Sequence, residues 1–165
     1  MIWQHSCAPL PIVGPLLIVG EDDRLLACAF ADVTPPPALN RLLKANEVVD
    51  DESPAREALA QISDYLAGTR RDFDVELDLR LLPDFQRETL TTLARRVGYG
   101  QTISYSGLAA ELGRPSAVRA VGRALATNPL CLFLPCHRVI AASGKLTGFA
   151  GGLARKEQLL ALESN

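Results

Sequence analysis

The feature that most constrains this chain is a change of hydrophobic periodicity at Pro83. Before it, apolar residues come in short runs or alternate with polar ones, as extended chain requires, because successive side chains there point to opposite faces. Phe73, Val75, Leu77, Leu79 and Leu81 alternate with Asp74, Glu76, Asp78 and Arg80, which predicts a strand with one buried and one wet face. Residues 12–20 and 24–30, separated by Glu21-Asp22-Asp23, predict a hairpin. Thr34-Pro35-Pro36-Pro37 breaks the chain, and Ser53-Pro54 has the cap and first-turn signature of a helix. Leu59, Ile62 and Leu66 form that helix's stripe, and Gly68 stops it.

After Pro83 the spacing becomes three and four. Phe85, Thr89, Leu90, Leu93 and Val97 share one side of a helix capped by Asp84 and ended by Gly98-Tyr99-Gly100. Ser104 caps a second helix with Leu108, Ala109 and Leu112 inward, and Gly113-Arg114-Pro115 makes a short turn. Residues 116–126 make a third helix with Val118, Val121 and Leu125 buried. Helix, short turn, helix is the pattern of a helix-turn-helix unit. The expected fold class is α+β: a small, mostly antiparallel sheet with one or two helices over residues 1–80, then a helical domain over residues 81–165.

Charge follows the same division. Residues 1–80 carry seven Lys and Arg against 14 Asp and Glu, whereas residues 81–165 carry ten against five. A basic half joined to an acidic one suits nucleic-acid binding by the basic half. On the third helix Arg119 and Arg123 lie four residues apart on the outer side, and Ala120, Gly122, Ala124 and Ala126 keep that surface low. Such a helix can lie close in a groove, and it can equally serve as a structural corner. Ser116, Arg119, Ala120, Gly122 and Arg123 are the candidate DNA contacts.

Prolines at 9, 11 and 15, with no Lys or Arg before the apolar stretch, argue against an export signal or a membrane span in residues 1–20. Four cysteines without such a signal imply a reducing compartment and free thiols, so a cytoplasmic location is expected, and a DNA-binding protein of a bacterium would there be associated with the nucleoid. His5-x-Cys7 with Cys28 lacks a Cys-x-x-Cys pair or a second His, so no metal is expected.

The apolar run at residues 130–134 reads as a buried extended segment that delivers Pro135-Cys136-His137-Arg138-Val139-Ile140. A thiol beside histidine and arginine has a positive neighbourhood that favours the thiolate. A free thiol of pKa about 8.5 is only about 3% ionised at pH 7, and lowering that to about 7 takes roughly 2 kcal/mol of anion stabilisation. A Cys-His dipeptide alone is also compatible with a packed thiol beside an unrelated histidine. Neighbouring side chains diverge, so transfer between the two residues calls for geometry or a bridging water.

Several runs of residues then carry a resemblance. They are Ile103-Ser104-Tyr105-x-x-Leu108-Ala109, Arg119-Ala120-Val121-Gly122, Asn128-Pro129 and Pro135-Cys136-His137-Arg138-Val139-Ile140. Gly144-Lys145-Leu146-Thr147-Gly148-Phe149-Ala150-Gly151-Gly152 and Arg155-Lys156-Glu157-x-Leu159-Leu160-x-x-Glu163 follow. In this order and spacing they resemble the O6-alkylguanine-DNA alkyltransferases over most of residues 85–163, while residues 1–80 match only in layout.

The resemblance implies a ribonuclease-H-like first domain and a winged-helix-like second one. It implies irreversible, stoichiometric transfer of an alkyl group from O6 of guanine, or from O4 of thymine, to Cys136. Each molecule would react once, without a cofactor, as a monomer on double-stranded DNA. Arg119 would fill the gap left by an extruded nucleotide, and Tyr105 would assist the leaving base. His137 would act as base through water, oriented by Glu163, with Asn128 bracing the loop. Val139, Phe149, Ala150 and Gly151 would line the base pocket. Phe149 stands where the family has tyrosine, which keeps an aromatic wall and removes a hydroxyl. Phe85-Gln86-Arg87-Glu88-Thr89-Leu90 lacks the family's Val-Trp pair. Two other readings remain: a module that senses alkylated DNA without reacting, and a thiol hydrolase, which would need an oxyanion hole and would turn over.

Overall fold

The structure is a computed structural model describing all 165 residues. Met1–Leu81 with Pro129–Cys131 form one compact unit, and Leu82–Asn128 with Leu132–Asn165 form the other. The division falls one residue after the expected boundary, and Pro129–Cys131 returns to the first unit. The return has a backbone cause. Cys28 N–H donates to the Pro129 carbonyl at 2.8 Å, and Cys131 N–H to the Cys28 carbonyl at 2.9 Å.

The first unit is a four-stranded sheet. β1 (Ile2–Ser6) runs antiparallel to β2 (Leu16–Glu21), which runs antiparallel to β3 (Arg24–Phe30), and the order is β3-β2-β1-β4. β4 (Val48–Asp50) is parallel to β1, so the sheet is mixed rather than wholly antiparallel. A parallel neighbour needs a crossover, and α1 (Pro37–Ala45) lies in it. Pro37 opens α1, where a missing N–H leaves no bond unmade. The α1 residue Leu39 packs with Ile2, Val19, Ala27 and Ala29. After a 3-10 turn at Ser53–Ala55 comes α2 (Arg56–Leu66), which buries Ala58, Ile62 and Tyr65. Its stripe is thus turned away from the expected Leu59 and Leu66, both half-buried. Ser53 caps neither element; its N–H donates to Asp51 Oδ1 at 2.8 Å in a local turn that leads into the 3-10 segment.

The expected strand over residues 73–81 is not formed. Its single bridge joins Leu77 to Leu25, through Leu25 N–H to the Glu76 carbonyl at 2.9 Å and Asp78 N–H to the Leu25 carbonyl at 2.8 Å. The Asp74 N–H donates instead to the Gln61 side chain at 2.7 Å. Phe73, Val75, Leu77, Leu79 and Leu81 are half-buried, so the alternation reports burial of an extended chain rather than a ladder. The expected hairpin is shorter at its start. Leu10 and Gly14 close a tight turn around Ile12, whose φ of 67° excludes a strand there.

The second unit contains α3 (Asp84–Arg96), α4 (Tyr105–Glu111), α5 (Val118–Ala126) and α6 (Leu153–Glu163). Two short strands, β5 (Ile103–Ser104) and β6 (Val139–Ile140), pair in parallel. Ser104 caps α4, its Oγ accepting from Gly107 N–H at 2.9 Å. Gly113, at φ 70°, ends the helical run after α4 and lets Arg114 N–H reach the Ala109 carbonyl. Arg114 then pairs with Glu88 at 2.7 Å and covers the Phe85 ring at 5.5 Å, tying the turn to α3. Gln86 donates to the Ala124 carbonyl and to Thr127 Oγ1, both at 2.9 Å, tying the end of α5 to the same helix. Leu90, Leu93, Leu108, Val121 and Leu159 are fully buried. No helix is long and apolar enough to cross a membrane.

Candidate active site

The approach to Cys136 is set by backbone before any side chain acts. Leu132 takes φ 74°, a conformation that costs a non-glycine residue about 1–3 kcal/mol, and its burial at 2% exposure holds it there. Pro135, at φ −81° and ψ 63°, makes an inverse γ-turn in which Cys136 N–H reaches the Leu134 carbonyl at 2.8 Å. One 3-10 turn, Cys136–Arg138, follows. Pairing of Val139 with Ile103 and Ile140 with Ser104 brings this turn beside Tyr105, the first residue of α4.

Cys136 is 5% exposed, and Asn128, itself buried, donates to its sulfur at 3.2 Å and to the Leu134 carbonyl at 2.9 Å. One amide thus braces the turn and offers a proton to the sulfur. His137 Nε2 lies 2.9 Å from Glu163 Oε1, with both side chains 1% exposed. Burial pushes the imidazole below its ordinary range, Glu163 pulls the other way, and the charges of Arg138 and Lys156 add to the lowering. The ring is therefore neutral near pH 7, and with Nε2–H donating to Glu163 the buried Nδ1 is its proton-accepting atom.

Two basic residues take places here that the sequence does not give them: Arg138 reads there only as positive charge beside the thiol, and Lys156 has no role. Arg138 grips Glu163 with Nε to Oε2 at 3.0 Å and Nη2 to Oε1 at 2.9 Å. Lys156 is fully buried, donating to the Val139 carbonyl at 2.5 Å and the Thr147 carbonyl at 2.8 Å, with its Nζ 6.0 Å from the Tyr105 ring centre. Burial holds the Lys156 ammonium below its ordinary range, and negative charge at Cys136 opposes that. Charge alone cannot reveal such residues; the place of Arg138 between His137 and Val139 was an available signal, whereas Lys156, between Arg155 and Glu157, offered none.

Tyr105 Oη lies 3.3 Å from both the carbonyl and the hydroxyl of Thr147. Val139 is buried, Phe149 and Gly151 are half-buried and Ala150 is exposed. Ser116, Arg119 and Arg123 are exposed, and Ala120 and Gly122 are half-buried. A Cβ on Gly122 would meet nothing within 4 Å, so the glycine is not needed for packing inside the unit. The structure thus joins Asn128 to Cys136 and His137 to Glu163 in two hydrogen-bonded pairs that meet on the Cys136–Arg138 turn. It links Tyr105 to Thr147, and leaves Arg119 and Arg123 on the open side of α5. No cluster of three or more His, Cys, Asp or Glu side chains is placed to hold a metal ion. Burial, reinforced by Cys7, keeps the Cys28 thiol protonated.

The fold and this site define a helix-turn-helix protein that presents a buried, hydrogen-bonded cysteine backed by a neutral His and a carboxylate. Residues 84–165 match the 6-O-methylguanine DNA methyltransferase DNA-binding domain, and residues 5–79 the ribonuclease-like domain of the same family. The chain belongs to the 6-O-methylguanine DNA methyltransferase family. It is 42% identical to a methylated-DNA–protein-cysteine methyltransferase of Mycolicibacterium paratuberculosis, over 92% of this chain and 87% of that one. It is 38% identical to one from Methanosarcina acetivorans, over 93% and 94%. A Mycobacterium tuberculosis OGT crystallised in complex with DNA superposes with a TM-score of 0.85 at 38% identity, over 98% of this chain and 92% of that one.

Proposed function

We propose that this protein repairs DNA by moving an alkyl group from O6 of guanine onto Cys136, in one irreversible step per molecule. The observation that carries the reading is the pair of contacts Asn128–Cys136 and His137–Glu163 on one turn, in a unit with a helix-turn-helix. The alkylated base is reached only when its nucleotide leaves the stack, at a cost of a few kcal/mol. Arg119, exposed on α5, fills the vacated space, while Ser116, Ala120, Gly122 and Arg123 meet the backbone. Contacts to backbone and groove shape suit a protein that must inspect any sequence.

His137 takes the Cys136 proton through a water, and Glu163 holds the ring in the tautomer that accepts it. The sulfur then forms its bond to the alkyl carbon as the carbon–O6 bond breaks and its electron pair moves to guanine. Tyr105 gives a proton to the base's ring nitrogen, so the leaving group departs neutral. Val139, Phe149, Ala150 and Gly151 line the pocket, and the same geometry extends to O4 of thymine. The product is a thioether with no group placed to hydrolyse it, and no cofactor takes part. The protein acts as a monomer on double-stranded DNA, in the cytoplasm.

The test is to incubate the protein with a duplex containing O6-methylguanine, then digest it and map the modified peptide. An S-methyl group on Cys136 is expected. Methyl on any other residue, or none with the guanine restored, would sink the reading.

A further inference from the structure

Arg138 is absent from the chemistry just described, yet it makes more hydrogen bonds than Lys156, the other buried cation of the site. It is 7% exposed, and its guanidinium holds both oxygens of Glu163 while Nη1 donates to the Val97 carbonyl at 2.9 Å, at the end of α3. A planar fork matched to a carboxylate in this way is not reproduced by a lysine. Buried charges are tolerated when they are matched. Here Glu163 faces two partners, an arginine that is always charged and an imidazole that need not be. With Arg138 in place the carboxylate is already balanced, and the ring can stay neutral. Without it, an uncompensated carboxylate would sit 2.9 Å from His137 and draw a proton onto the ring.

We infer that Arg138 is a positioning residue for alkyl transfer: it orients Glu163 and cancels its charge, so that His137 remains an uncharged base. This rests on the reading that His137 takes the Cys136 proton. The other titratable groups around the ring are Cys136 on its own turn and Lys156 on α6. Tyr99, after α3, bonds the same helix end through the Leu162 carbonyl at 3.2 Å. Arg138 and Lys156 oppose a charge on the imidazole, and Glu163 favours one.

The chain has two histidines, His5 and His137, so ring titration by NMR is resolvable on the whole protein, with His5→Gln as the assignment control. Arg138→Met should raise the His137 midpoint by about 1–3 pH units, and Glu163→Gln should lower it. Single-turnover reaction of Arg138→Met with free O6-benzylguanine should slow several-fold at neutral pH and recover as pH rises, following the new midpoint. Arg138→Lys should keep the midpoint near that of the parent while reacting more slowly. An unmoved midpoint in Arg138→Met, or a rate reduced by one factor at every pH, would overturn the proposal, since lost packing alone gives that result. Should Arg138→Met not fold, Glu163→Gln still decides, because an unchanged or raised midpoint there contradicts the charge balance. A midpoint that moves while the pH–rate profile does not would overturn the base role of His137, and with it the proposal, while leaving the ion pair standing.

Discussion

The buried imidazole of His137 has a consequence for stability that can be signed. Its folded pKa lies below the ordinary 6.5, with burial as the leading cause. In the unfolded chain the ring binds a proton as pH falls through 6.5, and in the folded chain it does not until a lower pH. The unfolded state thus holds more protons in that window, and stability falls as the solution is acidified. Urea unfolding of the parent should weaken more than that of His137→Gln between about pH 7 and pH 5; equal slopes would mean that the ring titrates normally. The sequence marks Cys136 and His137 by their chemistry, whereas Asn128 and Glu163 enter only through the resemblance, because nothing local distinguishes an amide or a carboxylate that far from the thiol. The pairing of Arg138 with Glu163 and the place of Lys156 were not legible, because both come from burial against partners distant in the chain, Glu163 for one and the Val139 and Thr147 carbonyls for the other.

Among the elements, α5 carries the sharpest expectations. If Arg119 fills the gap of an extruded nucleotide, Arg119→Ala should slow repair in duplex by about 100-fold, the equivalent of a few kcal/mol, while reaction with free O6-benzylguanine changes little. Equal losses on both substrates would contradict that role. Gly122 offers the complementary case, because its Cβ position is open. Gly122→Ala should raise thermal stability by up to about 1 kcal/mol. Gly122→Leu should fold yet bind duplex more weakly in fluorescence anisotropy, and undiminished binding would show that DNA does not approach this face. The helices were legible because apolar spacing, Ser104 as a cap and Gly113 at the turn agree, although Asp84 is the first residue of α3 and makes no cap bond, and α5 starts at Val118 rather than at Ser116. The strands were less so. Alternation over residues 73–81 reflects burial without pairing, and a two-residue element such as β5 or β4's parallel partnership with β1 is decided by residues far away in sequence.

At the scale of the molecule, a cut at Pro83 captures composition but not topology. Pro129–Cys131 completes the first unit through β3, while both flanking segments belong to the second. A fragment beginning at Leu82 would leave that segment, buried in the whole chain, without its partner. Expressed alone, residues 82–165 should show lower cooperativity on thermal unfolding and slower reaction with free O6-benzylguanine than the full chain; full activity with a sharp transition would refute this. On the proposed reaction Cys136 is spent after one transfer. Count the guanines restored per protein molecule when O6-methylguanine duplex is supplied in large excess, and weigh the intact protein afterwards. One guanine restored and one methyl gained per molecule is the expected result. Repeated turnover with unmodified protein, or stable binding with no guanine restored, would contradict it.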